Sequence, residues 1–141
     1  MRFVDTNILL YAIGTAPEEQ SKSHAALLVL EDDDLAVSVQ VLQEFYVQAT
    51  RGPRHDRLTH HQAALLIESF LRFPVREMTL KLLRSAFAAK ERFRISYWDA
   101  AIIEAAREIG CRTILSEDLN HRQDYDGVKV VNPFRKMRSR R

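Results

Sequence analysis

The chain has a single cysteine, Cys111, so no internal disulfide can form, and a reducing cytoplasm is the expected setting. It has no long apolar run. The stretch Ile8-Leu9-Leu10-Tyr11-Ala12-Ile13 is far too short to span a bilayer. No basic segment at the N-terminus leads into an extended apolar run and a small-residue cleavage site, so a membrane role is not expected. No cysteine–histidine set has zinc-ligand spacing. Cys111, beside an expected strand, reads as a small buried residue rather than a nucleophile. Repeats, linkers and low-complexity segments are missing too, apart from the C-terminal end.

What remains is 141 residues of ordinary apolar and charged content, enough for one domain with a real core. The net charge of +2 is unevenly placed, because Arg135, Lys136, Arg138, Arg140 and Arg141 crowd the last seven residues without an acid among them. Residues 1–134 therefore carry −3. The two segments read as a domain over 1–134 and a basic tail over 135–141. The tail is either a solvated end or a phosphate-seeking arm.

The apolar period switches repeatedly. Short strands are expected at Phe3-Val4, Leu35 to Ser38, Pro74 to Glu77, Thr113 to Leu115 and Val128 to Val131. Helices are expected over Asn7 to Ile13, from Pro17 to about residue 31, and over Val39 to Thr50, with Val41, Phe45, Gln48 and Ala49 near one face. Gly52-Pro53 breaks the third. Thr59-His60-His61-Gln62 has the capping-box pattern for a helix to about Phe73, Thr79 can cap a helix through about Lys90, and Ser96 one that ends at Gly110. Strands alternating with helices predict an α/β sandwich around a mainly parallel sheet.

Four acids fall where these elements meet: Asp5, Glu44, Asp99 and Asp118. Each has a local explanation: Asp5 as a helix N-cap, Glu44 as an exposed helical residue, Asp99 as a first-turn acid favouring the helix dipole, Asp118 in a turn. Two placements resist this. Asp99 shares a face with Ile102, Ile103 and Ala106, at spacings of three, four and seven, and that face should point inward. Glu44, three residues from Val41 and four from Gln48, flanks a buried stripe. Charges aimed at a core need a partner, and no lysine or arginine is locally placed to pair with Asp99. In open parallel sheets, ligands bind beyond the carboxyl ends of strands, and Asp5 and Asp118 each follow an expected strand. Converging carboxylates repel, so the set makes sense around a hard divalent cation, which points to chemistry on a phosphate ester.

The run Phe3-Val4-Asp5-Thr6-Asn7-Ile8-Leu9-Leu10-Tyr11 resembles the opening of the PIN domain, and within it the VapC-type toxins of toxin–antitoxin pairs. Ser38 with Glu44 and Phe45, Tyr97-Trp98-Asp99-Ala100-Ala101-Ile102, Leu115-Ser116-Glu117-Asp118-Leu119-Asn120 and Val131-Asn132-Pro133-Phe134 continue the likeness in order. The resemblance implies a three-layer α/β sandwich and a Mg²⁺- or Mn²⁺-dependent endoribonuclease whose acids are Asp5, Glu44, Asp99 and Asp118. Asp5, Asp99 and Asp118 are the preferred metal ligands, direct or through water; Glu44 is a ligand or positions the attacking water. Thr6, Asn7 and Ser116 match polar helpers that orient acids, water or the metal shell. The resemblance also implies an RNA substrate, a homodimer and a cognate antitoxin that brings a basic side chain to the acids, with the helices at 17–31 and 39–50 as candidate docking surfaces.

Other chemistries fit less well. A haloacid-dehalogenase-like phosphatase would place a second aspartate where this chain has Asn7, and the phospho-acceptor and lysine of a receiver domain cannot be placed. His60 and His61 fall in a capping turn, His24 and His55 lack catalytic context, and His121 is a candidate only for substrate contact. The rival from another class is a non-catalytic RNA-binding or partner-binding module on the same fold.

Overall fold

Residues 1–135 are described from a computed structural model. Of the basic tail, Arg135 is exposed, while Lys136, Arg138, Arg140 and Arg141 lie outside the described residues.

Strands β1 (Arg2–Val4), β2 (Leu35–Ser38), β3 (Val75–Arg76), β4 (Thr113–Leu115) and β5 (Lys129–Val131) form a sheet in the order β3-β2-β1-β4-β5. Every strand pairing is parallel, so the sheet is more uniform than the mainly parallel one expected. An isolated antiparallel bridge joins Asp124 and Lys129 outside it. Parallel neighbours require crossovers, and helices supply those up to β4: α1 (Thr6–Ile13), α2 (Gln20–Leu30), α3 (Val39–Ala49), α4 (His60–Phe70), α5 (Leu80–Phe93) and α6 (Tyr97–Glu108), while residues 116–128 join β4 to β5 without a helix. The result is an α/β sandwich.

The strands are buried because both faces are covered. Phe3, Val4, Leu35, Ala36, Val37, Ile114 and Leu115 join Ile8, Leu9, Val41, Phe45 and Ile103 in one apolar core. A second seam lies between α5 and α6, where Ala86, Ala89, Ala100 and Ala101 let the two helices approach closely. The caps follow the side chains: Ser38, Thr59, Thr79 and Ser96 each accept from the third helical N–H, and Thr59 with Gln62 completes the capping box.

Three local expectations are corrected. Pro17 opens a short 3-10 turn, Pro17–Glu19, and the α-helix starts only at Gln20; Ala16 has no side chain to cap a helix there. The fourth helix stops at Phe70, and Phe73 is buried from the turn that leads into Pro74, whose ring disfavours helix in the residue before it. Gln48 is exposed, because Ala49 takes the inward position one turn after Phe45.

The chain leaves β1 for β2 and β3 on one side and reaches β4 and β5 on the other. The crevice beyond the carboxyl ends of β1 and β4 is therefore the switch point of the sheet. Asp5 and Ser116 are the first residues past those two ends.

Candidate active site

Asp5 is buried at the mouth of the crevice and caps α1, its Oδ1 accepting from the Thr6 N–H at 2.7 Å. Cap and site residue are one and the same here. The other oxygen, Oδ2, accepts the Ser116 hydroxyl at 2.7 Å. Ser116 is fully buried, and its Oγ also receives the N–H groups of Asp118 and Leu119 at 3.1 and 3.3 Å. Asn7 completes this side. Its Nδ2 donates to Asp118 Oδ2 at 3.2 Å and to Ser116 Oγ at 3.4 Å, while its Oδ1 accepts the Glu117 N–H at 3.0 Å. The first turn of α1 is thus laced to the turn after β4.

A second arm runs to α3. Thr6 Oγ1 donates to Glu44 Oε1 at 2.8 Å, and Gln40 Nε2 donates to Glu44 Oε2 at 3.1 Å. The same Gln40 amide donates to the Trp98 carbonyl at 3.2 Å, which ties α3 to the first turn of α6. Gln40 is buried, and sequence reasoning missed it. The available signal was its position one turn before Glu44, where two side chains on a helix meet.

Asp99 is the third residue of α6, half-buried, with its N–H donating to Ser96 Oγ at 3.1 Å. Its face partners Ile102, Ile103 and Ala106 are buried, as the spacing requires. Asp118 is exposed at the outer edge. Among the described residues, no salt bridge reaches any of the four acids.

Burial pushes the Asp5 carboxyl up to about 6; the bonds from Ser116 and Thr6 pull it down, and the charges of Asp118 and Glu44 push it up again. Asp99 is also raised, first by burial, against the pull of its Ser96 bond, with Asp118 and Glu44 adding to the rise. Asp118 and Glu44 thus act on both of the others. The donors are all carboxylate oxygens, the chemistry that suits Mg²⁺ or Mn²⁺. Among the described residues, however, no group of three His, Cys, Asp or Glu stands ready to hold an ion.

A cavity of about 220 Å³ adjoins Asp118 alone of the four acids, and is lined also by Asn7, Tyr11, Arg54 and Glu117 among others. At its wall Tyr11 donates to Glu117 Oε1 at 2.6 Å, and Lys22 pairs with Glu117 Oε2. The histidines stay out of this network. His60 shares a hydrogen bond with the Tyr46 hydroxyl, His61 is exposed, and His121 Nδ1 accepts the Asn132 N–H at 3.0 Å.

The sequence matches the PIN domain family over residues 2–125. No curated protein matches it significantly. Among solved structures, the fold is similar to a toxin–antitoxin complex from Klebsiella pneumoniae, at 19% identity and a TM-score of 0.69, covering 94% of this chain and 98% of that one. It is also similar to the sarcin-ricin-loop-cleaving toxin VapC20 of Mycobacterium tuberculosis, at 18% identity and a TM-score of 0.63, covering 84% and 90%. DNA-bound VapBC from Salmonella typhimurium aligns at 15% identity and a TM-score of 0.64, covering 94% and 97%.

Proposed function

The chain belongs to the PIN domain family, and on that premise we propose that it is a metal-dependent endoribonuclease, the toxin of a toxin–antitoxin pair. The observation that carries the reading is the acid set at the switch crevice: Asp5, Glu44 and Asp99 held in or beside the core without a cationic partner among the described residues, and Asp118 at their rim. Uncompensated carboxylates cost stability and are retained where chemistry needs them.

Asp5, Asp99 and Asp118 would hold Mg²⁺ or Mn²⁺. When bound, the ion supplies positive charge that activates water and stabilises charge on a phosphodiester. The chain's own groups do the rest. Ser116 and the Thr6 N–H aim the Asp5 carboxylate, and Asn7 aims Asp118. Thr6 and Gln40 hold Glu44 by both oxygens, in an orientation suited to binding the attacking water or taking its proton. Attack of that water on phosphorus breaks the bond to the leaving sugar oxygen and cuts the strand.

The solved structures of similar fold include toxin–antitoxin complexes, which supports an antitoxin as partner. Leu27 and Leu28 on α2 and Val47 on α3 are exposed and offer apolar contact for it. A homodimer and a cytoplasmic setting belong to the same reading. Among the described residues, no helix is long and apolar enough to cross a membrane. A non-catalytic binding module is the second reading, favoured by one observation: among the described residues, no three His, Cys, Asp or Glu are grouped so as to hold an ion.

Turnover decides between them. Purified protein is incubated with total cellular RNA in Mg²⁺ or in EDTA, beside Asp5→Asn, Asp99→Asn and Asp118→Asn. Cleavage lost in EDTA and reduced at least about 100-fold in each folded variant supports the nuclease. Full activity in EDTA, or in folded Asp99→Asn, sinks it; RNA bound but never cut supports the binding module.

A further inference from the structure

Trp98 is the chain's one tryptophan and is 62% exposed. A ring of that size left in water forgoes one of the largest burial gains any side chain offers. The residue is not loose. It is the second residue of α6, and its carbonyl is held by the same Gln40 amide that holds Glu44. The next residue is Asp99. The indole meets the Tyr97 ring edge-on, with centroids 5.0 Å apart and planes at 77°. Tyr97 in turn meets Phe87 of α5 at 5.6 Å, and Phe87 is itself 55% exposed. Three rings therefore form a surface ridge that begins one residue from an acid of the crevice.

We propose that Trp98, backed by Tyr97 and Phe87, is a stacking platform for an unpaired nucleobase of the RNA strand whose backbone reaches the acids. The inference rests on the ribonuclease reading above. A crevice of carboxylates offers a phosphate backbone no attraction of its own, so strand binding must come from groups around it. Aromatic faces supply such binding without charge, and they suit single-stranded RNA, whose bases can splay out. An indole 62% exposed leaves ring surface open to a base. The Gln40 bond fixes the backbone of the platform relative to Glu44, so a stacked base would set the register of the strand at the acids.

The lone tryptophan makes the test direct. Full-length Asp5→Asn protein is titrated with a short single-stranded oligoribonucleotide and with an abasic oligomer of equal length; indole fluorescence is followed in that protein, and anisotropy of the end-labelled oligomers gives the affinity for it and for each Trp98 variant made in the same background. Quenching by the base-bearing strand only, with affinity reduced roughly 5- to 100-fold in Trp98→Ala and largely kept in Trp98→Phe, supports the platform. Equal affinity for the two oligomers, or an unchanged Trp98→Ala, overturns it while leaving the nuclease reading intact if the wild type still cuts RNA. A blue shift that grows with protein concentration alone, together with a dimer lost in Trp98→Ala by sedimentation, overturns it in favour of a second copy of the chain. A wild type that neither binds nor cuts RNA overturns both readings.

Discussion

The Ser116 hydroxyl donates to Asp5 Oδ2 at 2.7 Å across 111 residues of sequence. It joins the first residue past β1 to the first residue past β4, the two strands that meet at the switch point. One buried hydroxyl therefore orients an acid and also receives the backbone N–H groups that shape the Asp118 turn.

Replacing Ser116 with alanine removes a bond to a buried carboxyl and strips two backbone N–H groups of their acceptor. The expected loss is about 2–4 kcal/mol, read as a lower urea midpoint. The Ser116 bond pulls the Asp5 pKa down, so its loss lets that pKa climb above its present value of about 6. The acid limb of any cleavage profile should then move to higher pH. A Ser116→Ala protein as stable as the parent, with an unmoved acid limb, would show that the bond has no energetic role.

Asp5 makes the metal-free protein less stable as pH rises. Unfolded, its carboxyl ionises near 3.8; folded, near 6, so between those values the native state holds more protons. The group's contribution is fully present below 3.8 and is lost as pH rises through 6, in total on the order of 3 kcal/mol. Asp5→Asn should remove this slope and raise the metal-free melting temperature at neutral pH by several degrees, while Mg²⁺ should stabilise only the parent. Thermal melts of both proteins across that window check it, and parallel curves would refute the shift.

Much of this arrangement was legible in the sequence because it rests on local signals. Thr59, Thr79 and Ser96 announce their helices, and the alternation of strands and helices predicts a parallel sheet whose strand ends gather Asp5 and Asp118. What was hidden depends on tertiary contact. Gln40 looks like any polar helical residue until α6 brings the Trp98 carbonyl beside it. Arg94 ends α5 in the left-handed region at φ 56°, a conformation that its side chain does not advertise. Periodicity alone does not choose Ala49 over Gln48, since both lie about two turns from Val41; packing turns the row Val41, Phe45 and Ala49 inward.

Gln40 should matter for catalysis as a positioning residue. Gln40→Leu keeps its bulk but removes both donors, freeing Glu44 Oε2 and leaving the Trp98 carbonyl without this bond. We expect kcat for RNA cleavage to fall about tenfold or more with little change in KM, and a stability loss of about 1–2 kcal/mol. Gln40→Glu, which places a second negative charge against Glu44, should be worse in kcat than Gln40→Leu. Equal rates for parent and both variants would mean that Glu44 needs no positioning.

The basic end of the chain is tested by salt. Residues 1–134 carry −3, so the five cations of 135–141 are the strongest local attraction for a phosphate backbone. Deleting 136–141 removes Lys136, Arg138, Arg140 and Arg141 while sparing buried Phe134, whose ring packs edge-on against Tyr11 at 5.1 Å. The core should therefore stay folded. If the tail holds RNA, affinity falls and the slope of log affinity against log salt flattens by about 0.7 for each phosphate that the shortened chain no longer neutralises. The requirement for Mg²⁺ should survive, because no acid has been touched. Binding isotherms of the full and shortened chains over a salt series separate the outcomes, and coincident slopes would make the tail a solvated end.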